Sequence, residues 1–156
     1  CEYKSEMYLG LAGYCFQKMG RLHINEKKFD RAMDVYDRSI ELFNKASEYN
    51  PYEYKGSIAF SNLRKGTVYW LSGDYEKALE CDILAEKQYT EYANSSKENV
   101  NNSLGACAYY TGECFFKLGD YKNALACYER AYKYYQSEEY LYQLKRMRSY
   151  IKIFSD

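Results

Sequence analysis

The stretch Thr111-Gly112-Glu113-Cys114-Phe115-Phe116-Lys117-Leu118-Gly119-Asp120-Tyr121-Lys122-Asn123-Ala124-Leu125 decides the fold, because its key residues recur upstream at a constant step of 46 residues. Gly112 is preceded by Gly66 and Gly20, Ala124 by Ala78 and Ala32, and Tyr121 by Tyr75 and Phe29. A fourth set, Phe43, Tyr89 and Tyr135, keeps the same step. An internal period of this length marks a stacked array, in which each unit buries its apolar face only against its neighbours.

Each unit reads as two antiparallel helices. Ile58, Phe60, Leu63, Val68, Tyr69, Trp70 and Leu71 form one broad apolar face, and Ser72-Gly73-Asp74 breaks it. Asp74 and Asp120 suit the N-cap of the following helix, whereas the first unit has Lys27-Lys28 at this turn and lacks the glycine. Asn50-Pro51-Tyr52-Glu53 reads as a capping box with proline at the first helical position, and Ser95-Ser96-Lys97-Glu98 offers similar chemistry. These signals predict helices at about 5–26, 29–49, 51–72, 75–93, 97–118 and 121–136. A seventh follows Ser137 with an apolar stripe of Leu141, Leu144, Met147, Ile151 and Phe154, out of phase with the period and suited to capping the array. Glu2-Tyr3 stands one period before Glu48-Tyr49, so residues 1–4 read as the tail of a preceding unit. Three units then occupy 5–50, 51–96 and 97–136, and 137–156 form the cap.

The chain has 156 residues, with 22 basic and 22 acidic side chains. This cancelled charge argues against the basic face that nucleic-acid or anionic-membrane binding requires. The six cysteines track the repeat: Cys81 and Cys127 are equivalent, Cys15 and Cys107 lie two periods apart, and Cys114 corresponds to Val68 and Leu22. Thiols that alternate with small aliphatic residues behave as core hydrophobes. No disulfide is expected, and the reading is a reducing, cytoplasmic compartment. Neither metal-ligand spacing nor a phosphate-binding loop is visible, so no metal or cofactor is expected. His23 is the only histidine; its repeat equivalents are Tyr69 and Phe115, which makes it a packing residue and the chain non-catalytic.

Lys65-Gly66-Thr67-Val68-Tyr69 with Gly73-Asp74-Tyr75-Glu76-Lys77-Ala78-Leu79 and Ala85, and the third-unit stretch quoted above with Tyr128 and Ala131, resemble the tetratricopeptide-repeat signature. The first unit fits it with Met19-Gly20, Phe29, Ala32, Tyr36 and Ser39. The units are longer than the common 34 residues. The resemblance implies an all-α, right-handed superhelical solenoid whose first helices line a concave, protein- or peptide-binding groove. Carried over by register, it puts Tyr14 and Phe60 with Ala106 in one rung, Gln17, Leu63 and Tyr109 in the next, Arg21, Thr67 and Glu113 in a third, and Ile24, Trp70 and Phe116 in a fourth. The expected anchor is the cluster of Trp70, Tyr109 and Phe116, with Arg21 and Glu113 setting ligand orientation. Relatives that clamp chaperone tails use lysines and asparagines where this chain has Leu63, Tyr109 and Thr67, which argues against that ligand. The competing reading of the stripe is helix-seam packing. Beyond a peptide-binding module of a larger, bacterial protein, the resemblance leaves open the sensor of a regulator or the accessory array of an enzyme.

Overall fold

The computed structural model describes residues 2–96 and 98–154, in which seven helices and no strand occur. They are α1 (Glu2–Asn25), α2 (Phe29–Ser47), α3 (Lys55–Ser72), α4 (Tyr75–Ser96), α5 (Asn101–Lys117), α6 (Tyr121–Tyr134) and α7 (Glu138–Phe154). Each packs chiefly on its neighbour in sequence, giving an all-α helical-repeat solenoid of three helix pairs closed by α7. Cys1, Lys97 and the side chain of Phe154 lie outside the described residues.

The turn inside each pair has one geometry in all three units. The backbone N–H of Lys28, Asp74 and Asp120 donates to the carbonyl five residues back, on His23, Tyr69 and Phe115. Closing a helix this way needs a left-handed residue. Gly73 (φ 84°) and Gly119 (φ 82°) supply it, and in the first unit Lys27 adopts φ 57° instead. Asp74 and Asp120 cap the next helix by accepting from the backbone N–H of Lys77 at 3.2 Å and of Asn123 at 3.1 Å. Lys28, at the equivalent position, has no such side-chain bond.

The junctions between units differ from the sequence expectation. Pro51 lies in a turn rather than at the first position of α3, which begins at Lys55 with Tyr54 at its cap. Tyr54 is held there because its ring packs against Gly10 and stacks on Phe43 at 5.6 Å. Ser95 and Ser96 extend α4 and donate back to the Tyr92 carbonyl, so they do not open α5. That helix starts at Asn101, whose N–H donates to the Asn99 side chain. Residues 2–4, expected as the tail of a preceding unit, continue α1 without a break. Ser137 caps α7 by accepting from the Tyr140 N–H, and Leu144 and Met147 bury against Ala124 and Tyr128.

Helix pairs close where a ring enters a glycine notch. A Cβ on Gly20 would meet the Tyr36 ring at 2.5 Å, one on Gly13 the Phe43 ring at 2.7 Å, and one on Gly112 the Tyr128 ring at 2.9 Å. The middle unit departs from this pattern. Asp82 occupies the position of Tyr36 and Tyr128, and its carboxylate lies against Gly66. It is fully buried, Cys114 donates to Oδ2 at 3.7 Å, and Oδ1 has no partner.

Burial pushes the Asp82 carboxyl up to about 8. The unfolded chain ionises this group near 4 while the folded chain keeps it protonated, so stability falls as pH rises from about 4 to 8 and the loss is complete above 8. Asp82→Asn keeps the shape and cannot ionise. Urea unfolding at pH 9 should show the variant more stable than the parent by about 1–3 kcal/mol, with the gap closing towards pH 5. A gap independent of pH would contradict a buried, titrating carboxyl.

Candidate functional site

The first helices of the three pairs, α1, α3 and α5, carry the residues that the repeat register assigns to the groove. The structure sorts them into three groups. Gln17 (7% exposed) and Leu63 (4% exposed) are taken up by packing rather than offered to a ligand. Gln17 Nε2 donates to the Ser57 carbonyl and to Ser61 Oγ, both at 2.8 Å, and Ser61 bonds Ser39 at 2.8 Å. This relay ties α1, α2 and α3 together. Leu63 sits in a core cluster with Ala59, Ala85, Tyr89, Leu104 and Cys107, with Phe60 and Ala106 half-buried at its edge.

The expected aromatic anchor does not form one surface. Tyr109 stacks on Tyr140 of α7 at 5.0 Å, and its hydroxyl reaches Glu139 at 3.4 Å. Phe116 packs on Tyr121 and on Tyr150 of α7, with Arg146 over its face at 4.9 Å. Trp70 instead meets Tyr75 edge-on and lies under Lys117. Glu113 accepts a 2.6 Å hydrogen bond from Tyr128, so its carboxylate is already engaged. The reason is α7: it packs where a further first helix would stand, and it covers the α5 end of the stripe. An out-of-phase helix carries no register from which that placement could be read.

The open residues lie along the cleft between α1 and α3. At one end, Glu6, Met7, Gly10, Leu11 and Tyr14 face Asn50, Glu53 and Tyr54 around a recess of about 300 Å³. Tyr14 is half-exposed, its hydroxyl accepts from Ser57 Oγ at 3.0 Å, and its ring meets Phe43 edge-on. At the other end, Arg21, Ile24, Asn25, Arg64 and Thr67 line a recess of about 250 Å³. Arg21 and Thr67 were read from the sequence, and the structure brings them together with Arg64, which sequence reasoning missed. Arg64 sits four residues after Phe60 and three before Thr67, so the helical spacing of that rung contained the signal. Its guanidinium lies over the Phe60 ring at 4.9 Å.

The two recesses have opposite character. Glu6 and Glu53 make the first acidic; Arg21 and Arg64 make the second basic, with no carboxylate in its lining. Both guanidiniums act on the Tyr36 hydroxyl, whose pKa is nevertheless raised because burial outweighs their attraction. Gln17 lies on α1 between the two recesses, and its hydrogen bonds to α3 fix the spacing of the cleft. By helical rise, Gly10 and Ile24 are about 21 Å apart, the span of roughly six residues of extended peptide.

The cysteines among the described residues are free: Cys107, Cys114 and Cys127 are buried, Cys81 is half-buried and Cys15 is exposed. Burial pushes the Cys81 thiol up to about 11 and raises Cys107 and Cys114 further still. Cys15 departs from the core role expected for it, because no helix among the described residues covers its face of α1.

Two tetratricopeptide-repeat profiles match the sequence, one over residues 57–137, just over half the chain, and one over residues 14–46. No curated protein sequence matches. Among solved structures, the chain is similar to the N-terminal domain of stress-induced protein-1 from C. elegans, with a TM-score of 0.68 and 17% identity over 90% of this chain and 97% of that one. It is similar to the first TPR of RPAP3 bound to an HSP90 peptide, with a TM-score of 0.65 and 16% identity over 92% and 95%. It is also similar to the apo form of RapI, with a TM-score of 0.75 and 17% identity over 94% of this chain and 40% of that one. The match over more than half its length, with the shared helix-pair architecture, establishes that this chain belongs to the tetratricopeptide-repeat family.

Proposed function

We propose that this chain is a non-catalytic binding module that takes a short peptide segment along the α1–α3 cleft. The observation that carries the reading is the opposed charge of the two recesses, Glu6 and Glu53 at one end and Arg21 and Arg64 at the other. A segment of about six residues would place a carboxylate at the two guanidiniums and a basic group or free amino terminus at the two carboxylates. Tyr14 and Tyr54 supply apolar contact at the acidic end. The similar RPAP3 domain was solved with the HSP90 peptide SRMEEVD, which supports a peptide as the class of ligand. The positions that hold lysine and asparagine in chaperone-tail clamps are filled by Leu63, Tyr109 and Thr67, so the reading places the carboxylate site at Arg21 and Arg64 instead.

The buried free thiols fit a reducing compartment, and we place the protein in the cytoplasm. No helix among the described residues is long and apolar enough to cross a membrane. A second reading, the sensor segment of a larger bacterial regulator, is favoured by the similarity to RapI and to aspartyl phosphate phosphatase F from Bacillus subtilis, of which this chain covers 40% and 32%. The coding sequence on either side of this segment separates a regulator from a free-standing module.

The binding test uses a pool of hexapeptides with lysine at the amino end, four varied apolar positions and a C-terminal aspartate with a free carboxylate. A pool with the ends exchanged is the control. Arg21→Ala and Arg64→Ala should each weaken binding of the first pool by about tenfold, or about 1.4 kcal/mol, without lowering the melting temperature. Equal binding of both pools, or of parent and variants, contradicts the cleft reading. Tyr109→Ala is the structural contrast. Because Tyr109 stacks under α7, this change should destabilise the fold by about 2–4 kcal/mol and expose α7 to protease, leaving peptide affinity of the folded fraction unchanged.

A further inference from the structure

The third unit pairs its notch phenol with a carboxylate, and the first unit does not. Tyr128 enters the Gly112 notch, is almost fully buried, and donates its hydroxyl to the Glu113 carboxylate at 2.6 Å. Two periods earlier the same notch and ring are Gly20 and Tyr36, but Arg21 stands at the position of Glu113. The Tyr36 hydroxyl is therefore buried with no hydrogen-bond partner among the described residues. Both guanidiniums of the basic recess, Arg21 and Arg64, act on that hydroxyl. Arg64 Nε is itself buried without a partner, and the Phe60 ring braces its guanidinium at 4.9 Å. Neither arginine makes an ion pair among the described residues, and no carboxylate lines the recess. The carbonyls of Leu22, His23 and Ile24, at the end of α1, already accept the backbone N–H of Glu26, Lys28 and Lys27. Two cations and one phenol thus come together, and what they lack is an acceptor.

We propose that this recess is a phosphate-monoester site, filled by a phosphorylated serine or threonine side chain of the segment in the α1–α3 cleft. The inference rests on the cleft reading for the path of the segment and names the group that the segment presents. A carboxylate brings a single charge and a pair of oxygens, which the two guanidiniums alone would use up. A phosphate monoester brings about two negative charges at neutral pH and three terminal oxygens, so each guanidinium and the phenol receives its own acceptor. The oxygen nearest Tyr36 then takes the part that the Glu113 carboxylate plays for Tyr128. Arg21, exposed at the end of α1, closes over the group from the solvent side, and the braced Arg64 holds it from α3.

Calorimetric titration with the lysine-headed hexapeptide pool in two forms tests this. One form ends in aspartate with a free carboxylate, the other in phosphoserine amide. Both ends carry about two negative charges at pH 7.5, so a difference between them reports geometry rather than charge. The phosphoserine form should bind at least about fivefold tighter. Tyr36→Phe keeps the ring in its notch and removes only the hydroxyl. It should cut that advantage to about twofold or less, with affinity for the aspartate form and the melting temperature unchanged. Arg21→Glu rebuilds the carboxylate–phenol pair of the third unit, so it should abolish phosphoserine binding without lowering the melting temperature. Equal affinity for the two forms, or an advantage that survives Tyr36→Phe, overturns the phosphate site and leaves the cleft reading standing. Inorganic phosphate that competes at the concentrations where the phosphopeptide binds overturns the assignment to a side chain and points to the free ion. Phosphoserine binding that Arg21→Glu abolishes but that ignores exchange of the peptide ends supports the site and contradicts the cleft path. Failure of both forms to bind overturns both.

Discussion

The solenoid depends on rings seated in glycine notches. Tyr36 against Gly20, Phe43 against Gly13, Tyr54 against Gly10 and Tyr128 against Gly112 each bring two helices to a distance that a Cβ would forbid. Close approach of backbones at these points gives the paired helices their contact area, and the fully buried Ala32, Ala78 and Ala124 continue the same narrow seam. The 46-residue step of these residues is therefore a packing repeat before it is a sequence repeat. The middle unit shows what happens when the ring is missing. Asp82 fills part of the space, and the fold carries a buried, half-satisfied carboxyl between α3, α4 and α5. Such a group costs stability once it ionises, which makes this unit the alkaline weak point of the array.

Most of the architecture was legible because it is periodic. Gly73 and Gly119 fixed two turns, and the register carried the third to Lys27 although its residue type gave no sign of a left-handed backbone. The junctions were less legible, because a capping pattern shows only that a local bond can form. Asn50 and Glu53 do approach one another, at 3.5 Å, yet the helix opens later because the Tyr54 ring is required at Gly10. Tertiary packing outweighs a local cap worth about 1 kcal/mol.

The candidate site was half legible for a related reason. Repeat alignment names equivalent residues on α1, α3 and α5 but cannot tell which of them a non-repeating element covers. Tyr109 and Phe116 go under α7, Leu63 goes into the core, and Gln17 becomes a tie between helices. What stays open is the α1–α3 cleft, where the units differ most in charge. Arg21 corresponds to Thr67 and Glu113 in the register, so the polarity of the cleft belongs to one unit boundary and not to the repeat. The same logic explains Cys15. Its equivalents are core residues only because α2 and α4 lie over them.

A double-mutant cycle on Gly20 and Tyr36 tests the central claim most directly. Gly20→Leu overfills the notch and Tyr36→Ala empties it, and each alone should cost about 2–4 kcal/mol of stability in urea unfolding. If the ring and the notch form one packing unit, the added leucine occupies space the missing ring has left. The double variant should then lose at least about 1 kcal/mol less than the two single losses combined. Strictly additive losses would contradict the account, because they would mean that Gly20 and Tyr36 stabilise the helix pair independently.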